Sequence, residues 1–249
     1  MRFSIIIPNY NSEKWIRRLL KTIQEQTYKD YEVIIVDDMS TDGSVEIIES
    51  MGYNVIHNTY KRYNGGSRNV GVEHAKGDYI MFADCDDYFY SDKALEYISK
   101  VDTDLVRLPY HYLVEKGEGN VMLAEPTLEE LTKTVFVAPW TKCIKRELFV
   151  PFPENTLIED VTQHIEQMEK IETIGYCPVP VIAWNRRNKD SVSINESPKR
   201  KNSYFRILAD VMDLNVTKPY CIERKQERYQ QYLKLTKEKL NEIERRYQE

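Results

Sequence analysis

Between Arg2 and Ala83 the chain switches hydrophobic period again and again, and this alternation restricts the fold more than any single residue does. Arg2–Ile7 is a short apolar run of strand character. Ser12 can cap a helix whose apolar face is Trp15, Ile16, Leu19, Leu20 and Ile23, recurring at helical spacing. "YEVIIV" at Tyr31–Val36 is continuously apolar, as strands covered on both faces are. Ser44–Ser50 reads as helix, Tyr53–His57 as strand, Ser67–Ala75 as a helix following Gly65 and Gly66, and Tyr79–Ala83 as strand. Repeated strand–helix units predict a largely parallel sheet with helices on both faces.

Ligands in such sheets bind beyond the carboxyl ends of the strands. Polar clusters stand at three of those ends: Asn9-Tyr10-Asn11, Asp37-Asp38, and Asp84–Asp87 in "FADCDDYF". Each alone could be an ordinary turn, because Asn and Asp are good turn formers. Their recurrence at equivalent positions is harder to explain that way. The last cluster sets three like charges within four residues after a buried run. At an effective dielectric near 20, unit charges ~4 Å apart interact by roughly 4 kcal/mol, so something must compensate them. A divalent cation would. Oxygen ligands suit Mg²⁺ or Mn²⁺, which keep waters and substrate phosphates as their remaining ligands.

Beyond residue 100 the pattern is less regular. "DLVRLPYHYLVE" (104–115) reads as a strand or strand pair, Thr127–Lys133 as a short helix, and "IEDVTQHIEQMEKI" (158–171) as a helix. "YCPVPVIAWNRRNKDSVSI" (176–194) gives a strand and a polar loop. From Pro198 the chain is charged and helical, with Ile222, Tyr229, Leu233, Leu240, Ile243 and Tyr247 at roughly heptad spacing. That stripe can pack on its own domain or form a homodimer contact. The division expected is an α/β domain over 1–195, which carries the polar clusters, and a helical extension over 196–249.

The net charge of −5 gives no whole-chain nucleic-acid footprint. Cys85, Cys143, Cys177 and Cys221 are scattered without the spacing of a zinc site or disulfide framework. No apolar run reaches membrane-spanning length, and the N-terminal run is too short for a signal peptide. These features predict a soluble cytoplasmic protein able to touch a membrane surface.

Together the motifs carry a resemblance. "SIIIPNYNSEKWIRRLLKTIQEQTYKDYEVIIVDDMSTDGS" followed by "GGSRNVGVEHAKGDYIMFADCDDYF" resembles the family 2 glycosyltransferases, and the likeness resumes at "APWTKCIKRELF", "IEDVTQHIEQM" and "AWNRRNKDSVS". The resemblance implies the GT-A fold: a mixed, mostly parallel sheet flanked by helices, here with a C-terminal helical appendage. It implies a nucleotide-sugar donor, usually a UDP-sugar, inversion at the anomeric carbon, and Mn²⁺ or Mg²⁺. By this likeness Pro8, Asn9 and Tyr10 line the nucleotide pocket and Asp38 reads the base. Arg68 reaches the nucleotide or diphosphate, and Asp84 lies by the ribose or the metal-bound water. Asp86 is the main metal ligand, supported by Asp87. Asp160 is the general base with Glu159 beside it, and Trp140 lies in the acceptor region as a stacking face or a core tryptophan.

One departure stands out. The loop after the late strand, where many relatives carry a further metal ligand, offers Arg186, Arg187 and Asn188. The arginines could clamp the diphosphate, and Asn188 could ligate the metal. QxxRW, the mark of processive synthases, is missing, so single-sugar transfer is implied. The acceptor hydroxyl is expected on a glycan or lipid-linked sugar. A hydroxylated DNA base is the alternative, kept open by the basic runs at 186–189 and 199–201 near Tyr204 and Phe205. A silent nucleotide-sugar-binding protein is the reading from another class. A nucleotidyltransferase would more usually carry a glycine-rich basic loop after its first strand, where this chain has Pro-Asn-Tyr-Asn.

Overall fold

The computed structural model describes residues 1–114, 117–121, 127–133, 137–154, 156–186, 188 and 198–248. The elements in chain order are β1 (Phe3–Asn9), α1 (Ile16–Gln24), β2 (Tyr31–Asp37), α2 (Ser44–Ser50), β3 (Val55–His57), α3 (Tyr63–His74), β4 (Tyr79–Phe82) and β5 (Tyr88–Phe89). They continue as α4 (Ala94–Ser99), β6 (Leu105–Arg107), β7 (Tyr110–Val114), β8 (Gly117–Val121), α5 (Leu128–Lys133), β9 (Lys142–Lys145), α6 (Asp160–Lys170) and β10 (Ile174–Tyr176). β11 (Ile182–Asn185), α7 (Pro198–Asp213) and α8 (Pro219–Gln248) complete the described chain.

A seven-stranded sheet runs β10-β6-β9-β4-β1-β2-β3, and a second sheet runs β5-β11-β7-β8. The β4-β1-β2-β3 block is parallel, as the alternation predicts. β9 is antiparallel to both β4 and β6, which makes the large sheet mixed. β1 is central and every residue in it is buried. Successive side chains take opposite faces. Phe3, Ile5 and Ile7 meet Ile16, Leu19, Leu20 and Ile23 of α1 on one face. On the other, Ile6 meets Val36, Ile165 and Met168. Pro8 is tolerated in this central strand because β4 pairs only as far as Ile6 opposite Phe82, so no ladder partner loses a donor.

Two local readings change. Ser12 does not cap α1 through its side chain; its Oγ donates to Asn9 Oδ1, and its carbonyl accepts from Trp15 and Ile16. Gly65 and Gly66 lie inside the first turn of α3 instead of before it. What Gly65 permits is close packing on the protein itself: a Cβ there would stand 2.9 Å from the Pro153 carbonyl and 3.0 Å from Glu159 Cβ. At Gly71 a Cβ would collide with Ile6 Cγ2, so α3 seats directly on β1.

The buried stripe of α8 is Cys221, Arg224, Arg228, Tyr232 and Thr236. It is displaced from the heptad-like set, whose Ile222 and Leu240 are exposed. Ile243 and Tyr247 fall outside the described side chains. Tyr232 packs with Ile207 and Val211 of α7 and with Val137, Ile158 and Val161, so the C-terminal helices cover the body next to α6. No described helix is long and apolar enough to cross a membrane.

Candidate active site

Three strand ends and the start of α6 enclose a cleft of about 660 Å³. At the end of β1, Asn9 is opposite Asp37 of β2. Its amide donates to Asp37 Oδ1 at 2.7 Å and to Ser44 Oγ at 3.1 Å. Asn9 is therefore committed inside the protein, and it does not line the cleft, whereas Pro8 and Tyr10 do. Tyr10 is half-exposed, with the Lys61 ammonium 2.7 Å from its ring centroid.

Asp38 stands outside the cleft lining. It is buried and accepts from Arg62 N at 2.7 Å, Tyr63 N at 2.8 Å and Asn58 Nδ2 at 2.9 Å, with Lys61 Nζ at 3.2 Å. Its oxygens hold the start of α3 through the backbone of Arg62 and Tyr63. A carboxylate with this many donors is a strong organiser of backbone.

After β4, Asp84 to Asp87 form a turn closed by Asp87 N donating to the Asp84 carbonyl at 3.0 Å. Arg18 Nη2 donates to the Asp86 carbonyl at 3.1 Å, which ties the turn to α1. Asp84 and Asp86 line the cleft. Asn188 lines it as well, and its Nδ2 donates to Asp86 Oδ2 at 2.7 Å. Burial raises the Asp86 pKa, with Asn188 opposing and Asp84 adding to the rise. Asp87 is deeper. Its Oδ1 accepts from Asn185 N at 2.8 Å, linking the turn to β11, while Oδ2 has no partner among the described residues. Burial, then Asp86 and Asp84, raise the Asp87 pKa well above its ordinary value. Cys85 is a buried filler whose Sγ points at the Pro8 carbonyl 3.2 Å away.

Arg68 carries the largest difference between expectation and placement. It lines the cleft, yet its Nη2 donates to Asp84 Oδ1 at 2.7 Å and its Nη1 to Glu159 Oε1 at 2.6 Å. It therefore bridges two carboxylates from opposite sides of the cleft, with its side chain only 2% exposed. Burial works against the guanidinium charge, but Asp84 and Glu159 outweigh it and raise the Arg68 pKa. Glu159 precedes α6, and burial raises its pKa against the pull of Arg68. Asp160 is the first residue of α6, half-buried and facing the cleft, and among the described residues no side chain donates to it. Two adjacent acids thus differ: Glu159 is held in an ion pair, and Asp160 is open to the cavity.

Trp140 borders the cleft but is only 3% exposed, packed into the core with its ring edge-on to Tyr110 at 5.0 Å between centroids. Trp184 is the more exposed indole lining the same cleft, 5.8 Å from Trp140, and sequence reading passed over it although it stands in "AWNRRN". Arg186 is exposed with its guanidinium 5.1 Å from the Trp184 ring centroid, outside the cleft lining. Arg187 lies outside the described residues, as do Lys189 and the side chains of 199–201, Tyr204 and Phe205.

The donor set suits a hard divalent cation. Asp84 and Asp86 offer carboxylate oxygens and Asn188 an amide beside them. Among the described residues no group of three or more His, Cys, Asp or Glu gathers as a complete metal cage. That pattern fits Mg²⁺ or Mn²⁺, which take one or two carboxylates and leave other positions to water and phosphate.

A mixed α/β sheet thus brings an acidic turn and an open aspartate to one cleft. Residues 4–138 match the family model described as "Glycosyl transferase family 2", and the chain belongs to that family. Among curated proteins it is 37% identical over 107 residues to the amylovoran biosynthesis glycosyltransferase AmsB of Erwinia amylovora, a match spanning 40% of this chain and 36% of that protein. It is 30% identical over 173 residues to the poly(ribitol-phosphate) beta-N-acetylglucosaminyltransferase TarS of Staphylococcus aureus, spanning 62% of this chain and 30% of TarS. The matches thus span about a third of the length of these relatives. The crystal structure of S. aureus TarS in complex with UDP-GlcNAc superposes with a TM-score of 0.75 at 23% identity, over 94% of this chain and 72% of that one. The mannosyltransferase PcManGT from Pyrobaculum calidifontis, in complex with GDP-Man and Mn²⁺, superposes with a TM-score of 0.65 at 16% identity, over 92% and 69%. These likenesses establish the GT-A arrangement.

Proposed function

We propose that the chain transfers a single sugar from a UDP-sugar to a hydroxyl of a glycan or lipid-linked sugar, with inversion, and that Asp160 is the general base. The observation that carries this reading is the contrast at the start of α6: Glu159 is bound by Arg68 at 2.6 Å, while Asp160 faces the cleft. The acceptor oxygen attacks the anomeric carbon as the bond from that carbon to the diphosphate oxygen breaks. The acceptor proton passes to the Asp160 carboxylate, and the bonding pair leaves with the nucleotide diphosphate. Asp84, Asp86 and Asn188 would hold Mn²⁺ or Mg²⁺, which supplies positive charge against the leaving diphosphate. Pro8 and Tyr10 border the nucleotide end of the cleft, and Trp184 offers the acceptor a partly exposed aromatic face. UDP-GlcNAc bound to TarS supports the donor class, and amylovoran biosynthesis by AmsB and transfer to poly(ribitol-phosphate) by TarS support a polymer-type acceptor class.

A panel of nucleotide sugars, with and without Mn²⁺, tests the reading by thermal shift. At a hundred times Kd, the true donor stabilises by about 2.7 kcal/mol, or about 5–10 °C for a chain of this size. Stabilisation by a UDP-sugar only with Mn²⁺ is the expected result. No shift with any nucleotide sugar overturns it.

A further inference from the structure

One wall of the cleft rests on a lysine that sequence patterning gives no reason to notice. Lys142, the first residue of β9, is 1% exposed. Its Nζ donates to the Val137 carbonyl at 2.8 Å and approaches His164 Nδ1 at 3.1 Å. His164 Nε2 stands 3.0 Å from the Leu131 carbonyl on α5. Those partners select the tautomer: Nε2 carries the proton for Leu131, and Nδ1 accepts from the lysine. Burial pushes the His164 pKa well below its ordinary value, which keeps the ring in this neutral form.

The two ends of this tie lie next to the site. Val137 to Trp140 form one wall of the cleft. His164 follows Asp160 by four residues on α6, so the two occupy one helix face, a turn apart. One buried amine therefore fixes the spacing between a cleft wall and the helix that presents the open aspartate. An ammonium in the interior costs several kcal/mol unless its surroundings compensate, and an apolar side chain would fill the space at lower cost. Placing the amine between these two segments makes sense if it holds them.

The charge on the amine is not what does the holding. Burial, with Arg107 adding to it, lowers the Lys142 pKa to about 7; Asp160 opposes the shift, and Arg68 lowers it further. A neutral amine still has two N–H groups, enough for Val137 and His164. The tie survives deprotonation and is mechanical.

We propose that Lys142 is a positioning residue of the transfer reaction, joining the 137–140 wall to α6 so that Asp160 stays aimed at the acceptor hydroxyl. This rests on the functional reading above. The test uses the full chain with Lys142→Met. We measure UDP affinity with Mn²⁺ by calorimetry, turnover as UDP released from the nucleotide sugar that stabilises the wild type most, and hydrogen exchange by peptide. The expected result is UDP affinity within about twofold of wild type, kcat lowered at least tenfold with KM little changed, and faster exchange in 137–142 and 158–164 together while 84–88 is unaffected. Wild-type kcat, or a loss of UDP affinity equal to the loss of kcat, overturns the proposal. Should Lys142→Met not fold, His164→Asn cuts the same tie at α6 and is judged by the same results. If the wild type releases UDP from no nucleotide sugar, the functional reading fails by itself. Exchange then decides the tie: coupled loosening of the two segments supports it, and unchanged exchange overturns it.

Discussion

Arg68 and Glu159 meet across the cleft at 2.6 Å, and the same guanidinium holds Asp84 at 2.7 Å. The residue that the motif "GGSRNVG" offers as a nucleotide contact is thus the clamp between the acidic turn after β4 and the start of α6. Arg68→Ala leaves two largely buried carboxylates facing each other uncompensated. Breaking a buried pair in this way costs about 3–5 kcal/mol. Urea unfolding checks it, and a loss below 1 kcal/mol would remove the clamp role. Arg68→Lys keeps the charge but lacks the fork that reaches both acids, so it recovers only part of the loss.

Asp86 and Asn188 give a second prediction. If the pair holds the metal, Asp86→Ala removes the Mn²⁺ dependence of UDP binding, and chelation of the wild type does the same. Asn188→Ala weakens it less, because a neutral amide is the poorer ligand. Calorimetry with and without Mn²⁺ reads all three. Unchanged affinity in Asp86→Ala would take the metal away from this turn.

The buried Lys142 amine gives the chain a pH signature. Its pKa falls from 10.5 to about 7 on folding, with burial as the leading cause. Between those values the unfolded chain carries a proton that the folded chain does not, so this group adds stability as pH rises through the window. Its share is up to ~1.4 kcal/mol per pH unit. The measurement is the unfolding free energy of wild type minus that of Lys142→Met at pH 7 and pH 9. The difference should grow with pH; a constant difference contradicts the assignment.

Trp140 and Trp184 line the same cleft at different depths, Trp140 buried and Trp184 partly exposed. Trp140→Ala opens a cavity among buried rings and costs about 3–5 kcal/mol. Trp184→Ala costs less stability and raises the acceptor KM. Equal stability losses in the two variants would remove Trp184 from the acceptor side.

Much of the frame is legible in the sequence because β1 and β2 are apolar runs ending in Asn9 and Asp37, and β4 is one ending at Phe82 just before Asp84; period and polarity change together there. Which polar group faces the cleft is not legible in the same way. Asp37 and Asp38 are adjacent and both buried, and only the fold assigns Asp38 to the backbone of residues 62 and 63. The Arg68–Glu159 pair joins residues 91 apart, and the Lys142–His164 pair joins β9 to α6. Neither leaves a local pattern, since both come from tertiary approach. The α8 stripe shows the converse: its charged Arg224 and Arg228 are buried, so a hydrophobic periodicity count picks the neighbouring face.

The central claim is that Asp160, and not its bound neighbour Glu159, takes the acceptor proton. The direct measurement is Asp160→Asn, a change of one oxygen to nitrogen, followed by UDP affinity with Mn²⁺ and by UDP release from the preferred nucleotide sugar with acceptor present. The expected result is wild-type UDP affinity within about twofold and turnover lowered by roughly 10²–10⁴. Undiminished turnover in Asp160→Asn would contradict it.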